Sequence, residues 1–298
     1  MPTAEPQARN QAVASIAGQL LSAQYRLICK HEAGALASCG TEPLHQLRVA
    51  IRRFRAVLRF FRKPLAKTSA AALDRALGRL NRDLGQARDV DVWVDYLLSG
   101  EVRPRMADTR QWKPFLKHQL NLKRRHEANA RRILRGEGYA RLRQRMDRFL
   151  RVELPRAGNG ARGGELRRFI ARRVRKAFVR SLMAVGARQR LSPATMHKSR
   201  ARIRRARYWT ESFEPMLGPV SRKLARRLKR AADELGWVSD LDVQRRKFCR
   251  ARPPAPRRLV DQLKENRRGH LRASKKALRR LRMPRFKRRV LKALSPRS

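Results

Sequence analysis

The sequence predicts an all-α protein built from two copies of a four-helix unit, and three observations carry that prediction. Apolar residues recur at three- and four-residue spacing over long windows, whereas the alternation of a β-strand is nearly absent. Proline and glycine cut those windows into pieces of helix length. Two blocks also occur twice, in the same order. His45–Phe61 (HQLRVAIRRFRAVLRFF) matches His197–Phe213 (HKSRARIRRARYWTESF) without a gap, and His45, Arg48, Arg52, Arg53 and Arg55 are identical to His197, Arg200, Arg204, Arg205 and Arg207. Leu84–Val92 (LGQARDVDV) then matches Leu235–Val243 (LGWVSDLDV) at an offset one residue shorter. Two blocks at nearly one offset define a duplicated unit of about 150 residues.

Eight main helices are predicted, over residues 10–38, 43–63, 68–98, 108–135, 165–190, 193–215, 219–249 and 256–282. The first rests on apolar spacing alone. Pro43 opens the second in its first turn, where a missing N–H costs little, and Pro64 stops it. The third carries the first LG block, and the fourth continues the helical spacing. The glycine-rich stretch Pro155–Gly164 (PRAGNGARGG) then separates the two copies. The fifth helix follows it. Pro193, with Ser192 as N-cap, opens the sixth, and Pro215 and Pro219 close it. The seventh carries the second LG block, and Pro253–Pro256 (PPAP) separates it from the eighth. The division is a repeat at 10–151, a linker at 152–164, a repeat at 165–282 and a basic tail at 283–298 that is predicted to be frayed or weakly helical. The pattern leaves open whether the copies form two bundles or one pseudo-twofold bundle; the short linker favours one compact body.

The 298 residues are 42% apolar, enough for a substantial core. Lys and Arg number 76 against 23 Asp and Glu, a net charge of +53. A fold with that imbalance repels itself, so its natural partner is a polyanion: nucleic acid, an anionic membrane or polyphosphate. Arginine dominates over lysine, and its guanidinium forks two N–H donors onto phosphate oxygens. Cys29, Cys39 and Cys249 form no CxxC pair, which points to a reducing compartment and no zinc site. The first residues, MPTAEPQARN, do not read as a signal peptide, and no apolar run approaches a membrane span. The expectation is a soluble, cytoplasmic protein.

Projected at about 100° per residue, His45, Arg48, Arg52, Arg55, Arg59 and Lys63 share one stripe. Leu47, Ala50, Phe54, Val57, Leu58 and Phe61 lie opposite as the core face, and Arg53 stands aside. The second copy repeats the plan: His197, Arg200, Arg204 and Arg207 form the stripe, Arg205 stands aside, and Ile203, Ala206, Trp209 and Phe213 face inward. Glu211 replaces Arg59 there, supplying an internal ion pair and shortening the stripe. Like charges at three- and four-residue spacing cost a few tenths of a kcal/mol per pair, roughly. Acids that would relieve them are missing from the first stripe. A bland solvated face normally mixes both signs, so a phosphate-binding stripe is the better reading. With cations on the same face, each histidine is expected to stay neutral when free, donate an N–H to a phosphate oxygen, and gain a proton as the anion binds. Asp89, Asp91, Asp240 and Asp242 are expected to pair with arginines of neighbouring helices rather than hold a metal, with Leu84, Val92, Leu235 and Val243 in the core.

The order H-x-x-R-x-x-x-R-R-x-R followed by LG-x-x-R-D-x-D-V resembles the CHAD domain, the conserved histidine α-helical domain. The resemblance covers about residues 10–282, with the motif in both halves, and implies two four-helix bundles related by a pseudo-twofold axis. It also implies cationic surfaces and a central cavity that bind inorganic polyphosphate, and association with polyphosphate granules. Carried onto this chain, the ligand residues are His45, Arg48, Arg52, Arg53, Arg55, His197, Arg200, Arg204, Arg205 and Arg207, with Lys198 a weaker candidate; Arg59 joins the candidate ligands from its place on the α-helical stripe. The second copy departs from the pattern at Ser239, where the first has Arg88. The ExExK motif of the triphosphate-tunnel domain that is fused to some members does not occur, nor does a GxxxxGK[ST] loop. No clustered metal carboxylates with a nucleophile stand out, so the reading is a binder with no cofactor and no metal. A general nucleic-acid binder is the alternative, with weak non-specific binding expected in any case; the stripes have almost no Asn, Gln or aromatic side chains to read bases. An enzyme acting on polyphosphate or triphosphate, and an anionic-membrane binder, are less favoured.

Overall fold

The computed structural model describes residues 4–37, 41–66, 68–156, 163–183 and 193–295, and it is all-helical, with no strand among the described residues. It divides into two compact units. The first takes residues 1–107 and 116–166, and the second takes 108–115 and 167–298.

In the first unit, α1 (Ala4–Ala37), α2 (Thr41–Phe60) and α3 (Ala70–Leu98) pack side by side, α2 lying against both neighbours. The reason is the apolar seam of α2. Leu44, Leu47, Ile51, Phe54, Leu58 and Phe61 recur at alternating three- and four-residue steps, and each is at most 2% exposed. The predicted core face of this helix is therefore buried in full. A short helix α4 (Arg103–Met106) and the longer α5 (Trp112–Arg135) follow.

The expectation of four main helices per copy needs correction. A fifth, α6 (Glu137–Arg148), follows α5 after a break at Gly136, continues through a π-turn (Phe149–Glu153), and ends in α7 (Leu154–Arg156). Tyr139, Leu142 and Met146 are its buried face. Polar anchors fasten it to α1: the Tyr25 hydroxyl donates to Asp147 at 2.8 Å, the Tyr139 hydroxyl donates to Glu32 at 2.8 Å, and Arg143 reaches Glu32 at 3.0 Å. Glu153 accepts from the Ser69 backbone N–H at 2.8 Å, placing a carboxylate at the positive end of α3.

In the second unit, α11 (Pro219–Cys249) is the central element and packs along α9 (Pro193–Ser212) and α12 (Arg257–Arg282). α8 (Gly163–Met183) precedes α9, and α10 (Glu214–Leu217) links α9 to α11. Gly218, at φ 76, makes the turn into Pro219, a backbone state that L side chains resist. Ile203, Ala206, Trp209 and Phe213 of the α9 face are buried as predicted. The tail is a second correction. Residues 284–293 form a fifth helix, α13, with Phe286 and Val290 buried. The Arg227 guanidinium lies 3.8 Å from the centre of the Phe286 ring, so a cation covers the apolar anchor. The expected cap Ser192, residues 184–190 of the fifth predicted helix, and Cys39 lie outside the described residues.

Candidate functional site

α2 presents the first stripe and α9 the second, each backed by the long helix that follows it, α3 or α11. On α2, His45, Arg48, Arg52, Arg53 and Arg55 are half-buried, and Arg59 is exposed. Lys63 lies beyond the helix end at Phe60, so the helical projection that put it on the stripe does not apply. On α9, Arg200, Arg204 and Arg207 are half-buried, whereas His197, Lys198 and Arg205 are exposed. The Arg205 guanidinium sits 6.0 Å from the Trp209 ring centre, to the side of the stripe.

A glycine seat underlies each stripe. A Cβ built on Gly85 would come within 3.1 Å of the Arg48 guanidinium, and one on Gly236 within 3.0 Å of the Arg200 guanidinium. Both are the glycine of an LGxxxDxDV block, so the same arginine-over-glycine contact occurs in both units. Only a residue without a Cβ lets the planar guanidinium lie this close to the helix backbone. Arg48 also donates to the Leu84 carbonyl at 3.3 Å. The first unit has a third seat: Gly78 beneath Arg55, where a Cβ would come to 2.7 Å. Sequence reading missed these glycines, although their presence inside predicted helices, where glycine is disfavoured, was the signal.

Acids from outside α2 correct the picture of an unrelieved first stripe. Asp74, on α3, takes Arg55 at 2.8 Å and Arg59 at 2.8 Å. A single-helix projection cannot see a carboxylate on the next helix. In the second unit the ion pair expected of Glu211 is present: it takes Arg207 at 2.6 Å, and Asp233 stands 3.4 Å from the same guanidinium. Burial works against the Arg207 charge, but the Glu211 carboxylate outweighs it and holds the guanidinium above its ordinary value. On Arg55, burial prevails over Asp74 and the value is lowered. Arg55 and Arg207 thus close the ends of their stripes as internal ion pairs.

The two histidines differ. Burial first, then the Arg88 and Arg52 charges, push the His45 imidazole below its ordinary value, so the neutral form expected of it is favoured. His197 is exposed, with Ser239 where the first unit has Arg88. Arg88 is therefore a site residue that the stripe alone does not reveal. One of its guanidinium nitrogens is buried without a hydrogen-bond partner among the described residues.

Three of the four block acids make ion pairs, and three corrections are needed, the first being that Asp89 is exposed with no ion-pair partner among the described residues. Asp240 lies 3.6 Å from Arg200, and Asp242 binds Arg267 at 2.5 Å, as expected. Asp91 pairs with a lysine instead, Lys123 at 3.6 Å, and is fully buried; burial pushes its carboxyl up against the opposing pull of Lys123. Leu84 and Leu235 are in the core, but Val92 is only half-buried and Val243 is 40% exposed. Eight residues of α-helix overshoot two turns by about 80°, which turns both valines away from the leucines. Among the described residues, no group of three His, Cys, Asp or Glu side chains could hold a metal ion, and no helix is long and apolar enough to cross a membrane.

The CHAD domain family model matches residues 19–249 and again 213–298. The crystal structure of the CHAD domain from the plant Ricinus communis is similar over 95% of this chain and 92% of its own, with a TM-score of 0.67 and 22% identity. PptA from Streptomyces chartreusis is similar over 90% of this chain and 98% of its own, with a TM-score of 0.66 and 18% identity. No curated protein matches the chain.

Proposed function

We propose that this chain, which belongs to the CHAD domain family, binds inorganic polyphosphate through the stripes of α2 and α9 without turning it over, and that it does so at polyphosphate granules. The family is linked to polyphosphate- and triphosphate-related proteins. The observation that carries the reading is the repeated arginine-over-glycine seat, Arg48 on Gly85 and Arg200 on Gly236. A core needs no such device. Its effect is to hold a guanidinium flat against a helix, oriented before any ligand arrives, so that less side-chain freedom is lost on binding. His45, Arg52 and Arg88 surround the first seat, and His197 and Arg204 share the α9 stripe with the second. Each stripe grips successive phosphates by charge-assisted hydrogen bonds and displaces condensed counterions, so affinity falls steeply with salt, as it does for nucleic acids.

The test is a competition titration with labelled long-chain polyphosphate, wild type against the quadruple variant Arg48→Ala/Arg52→Ala/Arg200→Ala/Arg204→Ala. Duplex DNA and single-stranded RNA compete at matched phosphate concentration in about 150 mM salt. Polyphosphate is expected to win by more than about tenfold, with the folded variant losing that preference. Equal competition by all three, with the variant like wild type, would reduce the charge to a diffuse coat. Phosphate release in the presence of Mg²⁺ or Mn²⁺ would overturn the non-enzymatic part.

A further inference from the structure

The first unit has a second cationic groove, on the side of α3 away from the stripe. It holds about 560 Å³, within the usual size range of small-molecule sites. Arg79 of α3, Arg132 of α5, and Arg141 and Arg145 of α6 converge on it. Arg79 and Arg145 are exposed, and neither has an ion-pair partner among the described residues. Arg141 is tied to Glu137 at 2.9 Å, and Arg132 donates to Asn129.

We infer that this groove binds a nucleoside di- or triphosphate, with the phosphates on Arg79, Arg145 and the amino end of α6 and the base against the apolar wall. Two observations separate this ligand from inorganic polyphosphate, and a third gives its phosphates a place. Ile133 is half-exposed between the guanidinium groups, beside the edges of the buried Leu80 and Leu142, and an organic ligand gains from covering that apolar surface whereas a bare polyanion does not. Guanidinium planes also stack on aromatic bases. Asp83 faces the same groove, where it would repel a bare polyanion but can accept from a sugar hydroxyl. α6 opens at Gly136 with no side-chain cap; the Tyr139 and Ala140 N–H groups donate to the Gly136 carbonyl, the Glu137 carboxylate of the first turn is held by Arg141, and a Cβ on Gly138 would meet nothing within 4 Å, so a phosphate can approach the N–H groups of Glu137 and Gly138. On α3 the groove residues Leu80 and Asp83 lie roughly opposite Gly78 and Gly85 at about 100° per residue, so the groove is separate from the stripe.

The full chain would be titrated calorimetrically with ATP and ADP, and with inorganic tripolyphosphate as a charge-matched probe. Two groove variants are used, Arg79→Ala/Arg145→Ala and Gly138→Glu. The second places a carboxylate at the groove in open space, so it keeps the fold if the first does not. Arg52→Ala/Arg204→Ala serves as the stripe control. Both groove variants are expected to weaken ATP by at least about tenfold, and the stripe control by less than about twofold. Tripolyphosphate, which has no base or sugar to hold it there, is expected to lose less than about threefold at the groove variants. The inference is overturned if ATP does not bind, if its loss follows the stripe control, or if tripolyphosphate loses as much as ATP at the groove. Failure here leaves the polyphosphate titration untouched, because the two read different variants and different ligands.

Discussion

Arg48 and Arg200 each lie over a helix glycine, and the consequence can be separated from stability. Gly85→Ala and Gly236→Ala place a Cβ at 3.1 and 3.0 Å from the far end of a flexible side chain, which can move aside. Each substitution also removes a helix-interior glycine, a gain of up to about 1 kcal/mol. Thermal stability should therefore hold or rise, while polyphosphate affinity in the same titration falls by about threefold or more. Gly78→Ala should behave differently. Arg55 cannot swing away without leaving Asp74, so denaturant unfolding should show a loss of roughly 1–2 kcal/mol. His45 sets the pH response. Because its folded value lies below the ordinary one of about 6.5, the unfolded chain takes up that proton first, and folded-state stability from this group is lost as pH falls below 6.5. A bound polyanion reverses the local charge and draws the proton back, so affinity should rise as pH falls through the same window. His45→Gln should flatten that rise; a flat wild-type profile between about pH 8 and 5.5 would remove the histidine from the mechanism.

The helices that were legible had long seams. α2 shows six buried apolar residues at steps of three and four, and α9 shows the same plan, so their faces follow from spacing alone. α6 and α13 were not legible because they are short and half of their residues are charged, with only a few apolar anchors each. Phe286 and Val290 are four apart after Pro284 at the first turn, a helix start that the surrounding basic residues disguise. Their stability is tertiary, so it is exposed to single changes. Phe286→Ala should cost about 3 kcal/mol by equilibrium unfolding and release the Arg227 contact. Tyr139→Phe should cost roughly 1–2 kcal/mol, since it leaves the Glu32 carboxylate with one donor fewer.

At the scale of the whole chain, +53 charges act against folding. Some of the acids sit at the stripes. Asp74, Glu211, Asp233 and Asp240 each lie within ion-pair distance of a stripe arginine. The melting temperature should climb with ionic strength as self-repulsion is screened. It should climb further with polyphosphate, by the equivalent of about 2.7 kcal/mol at a hundredfold excess over the dissociation constant. A melting temperature indifferent to both would mean that the charge is already balanced within the fold.

The sequence by itself determined the helical class, the repeated blocks, the buried faces of α2 and α9, and the positions of the stripe cations. Each of these depends on residues close together in one chain segment, where the 3.6-residue period alone sets the direction of a side chain. The tertiary structure decided which of those cations are engaged. Asp74 on α3 holds Arg55 and Arg59, burial and then Arg88 on α3 depress His45, and glycines of α3 and α11 receive the arginines of α2 and α9. It also decided the α3–α6 groove, whose residues come from three helices. These are contacts between segments far apart in sequence, and a charge interacts with whatever packing brings near it, not with what precedes it in the chain.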